Sequence, residues 1–206
     1  LFLNAQSNQF NVVYRRRDGA YGLIGPEVGC PALEAAVLPR KDADAKGGAM
    51  PTRRQVRYIG NSAFEIVSRA GTRVLIDPYI TGNMTCKLKL DDIPAPDLVL
   101  VTHGARDHMG DTLEICKRSQ CTVISEPAVI QHLRKNGIPN ERLKSAVWGF
   151  VIDFKDVNAR VVQSQHISRF ESGGEMLTGM SLGFIVRTVN DPAFYHPGDT
   201  SIFSDI

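Results

Sequence analysis

PDLVLVTHGARDHMGD, residues 96–111, is the stretch on which the reading of this chain turns. It begins as a continuous apolar run and ends in polar side chains. A strand buried on both faces has this pattern, with its chemistry at the C-terminal edge. Directly after the run stand His103, Asp107 and His108. A divalent cation needs several lone-pair donors converging from different parts of the chain. Imidazoles and carboxylates on loops at strand ends supply them without rebuilding the core. Two places after His103, where a further imidazole would complete the cluster, the chain carries Ala105, which has no donor atom.

Upstream, VRYIG (residues 56–60), AFEIVS (63–68) and RVLIDP (73–78) are short β-type runs separated by Gly60-Asn61-Ser62 and Ala70-Gly71-Thr72. Their close spacing predicts an antiparallel meander. Downstream, TLEICKRSQ has helix-forming composition with Asp111 as its N-cap, CTVIS is strand-like, and PAVIQHLRKNG predicts a helix stopped by Gly137. Further strands are expected at 146–152, 159–164, 182–188 and 193–196. A meander followed by strands alternating with helices indicates an α/β or α+β layered domain. The segment 39–49 is charged, rich in small residues and without hydrophobic period, which suits a linker. Residues 1–49 therefore read as an N-terminal extension and linker, and 50–206 as the organised domain.

Composition narrows the function classes. Hydrophobic residues make up 43% and charged residues 22% of the 206, and 24 basic against 22 acidic residues leave a formal charge of +2. That balance gives no reason to invoke nucleic acid or an anionic membrane as partner. Cys30, Cys86, Cys116 and Cys121 form no CxxC pair and read as reduced packing thiols. No secretory pattern and no membrane-length apolar run is present, so a soluble, cytoplasmic protein is expected.

Two further candidates lie at later strand ends: His166 in QSQHIS and Asp199 in YHPGDTS. An aspartate in a Gly-Asp-Thr turn is more often a turn former than a ligand, and His196 and His132 suit structural roles. The combination of acidic and imidazole residues at successive strand ends is what favours a site.

At this point the chain resembles a known family, the metallo-β-lactamase superfamily, in its branch of uncharacterised metal-dependent hydrolases and ascorbate-6-phosphate lactonase-like proteins. YIGNSAFEIVSRAGTRVLIDPYITGN (58–83) is similar to that branch's opening meander, and VTHGARDHMGD to its HxHxDH signature. QSQHIS resembles the segment bearing the next metal histidine, and GMSLGFIV with FYHPGDTSIFSDI its Gly-x-x-x-Gly strand and Gly-Asp-Thr loop. The resemblance implies an αββα sandwich, incomplete at the C-terminus, since the family's closing elements and another ligand follow the Gly-Asp-Thr loop. It implies His103 and His166 at a first metal position, Asp107 and His108 at a second, and Asp199 bridging them, with Asp77 orienting the ligands from behind. Catalysis would fall to Asp107 and Asp199. The implied cofactor is one or two divalent ions, zinc first, with manganese or iron as alternatives. The implied reaction is hydrolysis of a small-molecule ester, lactone, amide or phosphoester by a metal-bound hydroxide. Ala105 depletes that site, so the second reading is a catalytically inactive member acting as an interaction or scaffold protein. The open sheet edge of an incomplete sandwich leads to the expectation of a homo-oligomer.

Overall fold

The structure is a computed structural model and describes residues 12–15, 21–24 and 54–204. The chain separates into two compact units, Leu1–Gly48 and Ala49–Ile206. In the first, β1 (Val12–Arg15) pairs antiparallel with β2 (Tyr21–Ile24). The linker expected at residues 39–49 lies outside the described residues.

In the second unit β3 (Gln55–Gly60), β4 (Ala63–Val67) and β5 (Arg73–Ile76) form the expected antiparallel meander. The turns fall where glycine and asparagine permit left-handed backbone, at Asn61 and Gly71. Three parallel strands extend the sheet: β6 (Leu98–Leu100), β7 (Thr122–Ser125) and β8 (Leu143–Ser145). All three residues of β6 are buried, as its unbroken apolar run requires. The six strands stand in the order β3-β4-β5-β6-β7-β8.

The helices are α1 (Arg106–Met109), α2 (Thr112–Arg118) and α3 (Pro127–Lys135). Leu75, Val99, Val101 and Val123 on one face of the sheet pack with Ile115, Cys116, Val129, Ile130 and Leu133 of the helices in one hydrophobic cluster. The side chains alternating with them, Val74, Ile76, Leu98 and Leu100, are equally buried on the opposite face.

A second sheet has the order β12-β11-β10-β9 and is antiparallel throughout: β9 (Val151–Phe154), β10 (Val157–Ser172), β11 (Glu175–Thr188) and β12 (Phe194–His196). Its buried side chains include Val157, Ala159, Val161, Leu182, Phe184 and Val186. The sheets meet through the Phe64 and Phe194 rings, 5.3 Å apart, and through the Leu182 N–H, which donates to the Thr102 carbonyl at 2.9 Å. The result is an α/β domain of two sheets with helices, as the sequence indicated.

Two local expectations need correction. Asp111 does precede α2, but its carboxylate does not cap that helix. It turns back to accept the Ile80 and Thr81 N–H groups, each at 2.8 Å, and so ties the α1–α2 turn to the loop after β5. The strand expected over 146–152 starts only at Val151, and the earlier strand β8 occupies 143–145.

Candidate metal centre

The cluster sits where β5 and β6 end and where the second sheet delivers β10 and β12. His103 stands three residues past the end of β6, and His108 lies on the single turn of α1. Both are fully buried. His166 occupies a register shift of β10 between Gln163 and Ile167. Such bulges re-aim side chains. Asp199 follows β12 on a loop held to that bulge: Ser164 Oγ donates to the Asp199 carbonyl at 2.6 Å, and the Gln165 N–H donates to Thr200 Oγ1 at 2.9 Å. The loop needs Gly198, whose φ of +62° is left-handed and where an added Cβ would lie 2.8 Å from Thr102 Cβ.

His103, His108 and Asp199 each offer one ligand atom, and these atoms lie within 4.8 Å of one another. His108 Nε2 stands 3.2 Å from Asp199 Oδ1. The other two expected ligands sit at the rim. Asp107 Oδ2 is 3.9 Å from His108 Nε2 and takes a hydrogen bond from the Asn61 amide at 3.4 Å. His166 Nε2 is 3.9 Å from Asp199 Oδ2. The buried trio combines one histidine from each pair implied by the resemblance with the shared aspartate, and Asp107 and His166 flank it, about half and two-fifths exposed.

Behind the trio lies Asp77, fully buried. Its Oδ1 accepts the Thr102 N–H at 2.8 Å. Its Oδ2 accepts Thr102 Oγ1 at 2.8 Å, His108 Nδ1 at 2.8 Å and His196 Nε2 at 3.0 Å. Burial works to raise the pKa of this carboxyl, but the charge and hydrogen bond of His108, then those of His196, hold it far below the usual carboxylate range. Asp77 adopts a φ of 46°, a strained conformation for a residue with a Cβ. His196 entered the sequence reading only as a structural residue, and hydrogen bonding to Asp77 is the part it plays.

These contacts fix which ring nitrogens face the cluster. A carboxylate only accepts, so His108 Nδ1 carries a proton toward Asp77 and its Nε2 faces Asp199. The Thr102 hydroxyl gives its one proton to Asp77, so across 3.0 Å it accepts from His103 Nδ1. His103 Nε2 is therefore the lone-pair nitrogen, and it is buried without a hydrogen-bond partner among the described residues. Burial first, then the charge of His108, pushes His103 down to about 4, which keeps it neutral. Burial opposes charging of His108 too, but Asp77 and Asp199 outweigh it and push that residue up to about 10. A neutral imidazole nitrogen with no partner, beside an imidazole held between two carboxylates, is a donor set that fits a cation in place of the His108–Asp199 proton. The residues present fit one divalent ion.

Comparison with known proteins identifies the family. The family model described as beta-lactamase superfamily domain matches residues 72–206, and the chain belongs to that family, the metallo-β-lactamase superfamily. A UPF0173 metal-dependent hydrolase of Methanosphaera stadtmanae is 35% identical over 153 residues, covering 74% of this chain and 64% of the relative. Another, from Methanosarcina barkeri, is 33% identical over 153 residues with the same shares, 74% and 64%. Among solved structures, Igni18, a metallo hydrolase from the archaeon Ignicoccus hospitalis, aligns with a TM-score of 0.62 at 28% identity, over 74% of this chain and 63% of that one. The chain thus spans a little under two thirds of the length of these relatives. A short second match, to the sigma 54 modulation/S30EA ribosomal protein C terminus, covers residues 1–23. No helix among the described residues is long and apolar enough to cross a membrane.

Sequence reasoning did not single out Thr102, Glu126 or Ser168. Thr102 had a visible signal, a hydroxyl next to His103 at the end of a buried strand. The other two had none short of the contacts themselves.

Proposed function

We propose that the chain is a metal-dependent hydrolase whose cluster holds one divalent ion between His103, His108 and Asp199, with zinc the first choice and manganese or iron the alternatives. The observation that carries this is the buried His103 Nε2, which has a lone pair, has no hydrogen-bond partner among the described residues, and lies beside His108 and Asp199. Zinc sites with three protein donors keep a position for water, and a His/Asp set without thiolate suits all three metals. When bound, the ion lowers the pKa of a coordinated water and polarises the oxygen of the bond to be cleaved.

The chain's own residues supply the rest. Asp77 holds His108 by its Nδ1 and, through Thr102, holds the tautomer of His103 that keeps Nε2 free. Asp107 and His166 stand at the open side, within reach of solvent. Asp107 is the group placed to take the proton of an attacking water and to return it to the leaving oxygen or nitrogen. Water adds across an ester, lactone, amide or phosphoester bond, and the proton balance closes at that carboxylate. His166 is placed to orient the substrate against Asp199. Ala105 leaves this site one imidazole short, so weak metal affinity belongs to the proposal.

Metal analysis of protein purified without added metal, followed by calorimetric titration with zinc and manganese, tests it. One equivalent bound, with hydrolysis of generic lactone or phosphodiester substrates that ceases on chelation, is the expected result. No uptake of either metal refutes the reading and favours the inactive scaffold.

A further inference from the structure

Glu126 is the one fully buried acidic residue outside the Asp77 network among the described residues. It caps α3, its Oε2 accepting the Ala128 N–H at 2.7 Å and its Oε1 the Val129 N–H at 3.1 Å. A cap alone does not explain the rest of its surroundings. Ser168 Oγ, on β10 and also fully buried, donates to Glu126 Oε1 at 2.8 Å. That hydroxyl oxygen in turn accepts the Gly104 N–H at 2.9 Å. The Ser168 partner across the hairpin is Gly179, where an added Cβ would fall 2.0 Å from Glu126 Oε2. The second sheet therefore leaves a gap shaped for this carboxylate.

Gly104 is the residue between His103 and the 105–108 turn. Its N–H is held by Ser168, and an added Cβ would fall 1.9 Å from the Phe170 ring. A hydroxyl has one proton, and the carboxylate orients it. With its proton directed at Glu126, Ser168 presents a lone pair to Gly104. We propose that Glu126 is a positioning residue for the metal centre: through Ser168 it fixes Gly104, and with it the relative placement of His103 and His108. This rests on the cluster being a metal site. Groups that orient ligands from outside the coordination shell typically account for about 10–100-fold in metal affinity.

The test uses the full chain, with Ser168→Ala and Glu126→Gln variants. Ser168→Ala leaves both N–H groups of the α3 cap satisfied, so it separates the relay from helix stability. Hydrogen exchange of the Gly104 amide, followed by NMR, should speed up about tenfold or more in Ser168→Ala, by loss of a buried hydrogen bond. Titration with cobalt(II) should show at least about tenfold weaker binding and an altered d–d band, with Ser168→Thr restoring both. Leu133→Ala, which removes a core side chain from the same helix, should lower stability yet leave the cobalt band unchanged. Wild-type Gly104 exchange in Ser168→Ala overturns the proposal, as does faster exchange with wild-type cobalt binding, and Glu126→Gln with wild-type exchange and cobalt binding removes Glu126 from it. If the unmodified chain takes up no cobalt, the metal reading falls, and the Gly104 exchange rate still decides whether the relay holds the loop.

Discussion

Asp77→Asn keeps the shape of the side chain and removes its charge, which makes it the sharpest probe of the network behind the cluster. Asp77 accepts four hydrogen bonds with no access to solvent. An asparagine retains one acceptor oxygen. If that oxygen takes the Oδ2 position, it still meets Thr102 Oγ1, His108 and His196, but the new amide group opposes the Thr102 N–H. The Thr102 N–H and the new amide's own N–H group then both go unsatisfied, at about 1–3 kcal/mol each. The opposite orientation sets the amide against three donors and costs more. In either case the carboxylate that pairs with the buried His108 is lost, and breaking a buried pair by removing one partner costs about 3–5 kcal/mol in total. For a domain of this size each kcal/mol moves the melting temperature by about 2–4 °C, so a fall of about 6–20 °C is expected. Differential scanning calorimetry in the presence of chelator measures it without any contribution from metal. A fall of less than about 2 °C would show that Asp77 is not the electrostatic anchor of the cluster, and the argument from tautomers would go with it.

Two other substitutions probe the front of the site. Ala105→His supplies the donor that the loop lacks, and zinc affinity by competition titration should rise about tenfold or more, equivalent to about 1.4 kcal/mol; unchanged affinity would mean that position 105 does not face the ion. Gly104→Ala drives a Cβ into the Phe170 ring, and overpacking of this kind costs about 1–3 kcal/mol. Urea denaturation should show that loss, and Phe170→Leu in the same chain should recover part of it; strictly additive effects would refute the contact.

How much of this could be read from residues depends on whether the cause is local. β6 was legible because both its faces are buried, which leaves an unbroken apolar run. β8 was not, since Leu143 and Lys144 are only partly buried, Ser145 is exposed, and the strand sits at the edge of the sheet. The β10–β11 hairpin was read as two short strands. Beyond Gln163 its outer face alternates in ways that composition does not flag, as with the exposed Ile167 and Met180. His103, His108 and Asp199 stood out as donors at strand ends, but which of them share a buried cluster depends on the bulge in β10 and the approach of the two sheets. Asp111 shows the same limit in one side chain: its position predicts a cap, while its carboxylate bonds to backbone 30 residues earlier. Glu126 before Pro127 looks like an ordinary helix entry, and only Ser168, distant in sequence, gives it a second task.

The bond from His196 to Asp77 crosses from one sheet to the other, and so do the Leu182–Thr102 and Ser168–Gly104 bonds. The chemical centre is therefore also the seam of the sandwich. A fluctuation that parts the sheets there would expose Asp77 and draw Asp199 away from His108 in the same event. A ligand that bound only the closed arrangement would hold the two sheets together like a rivet, adding to their cohesion in step with its affinity and concentration.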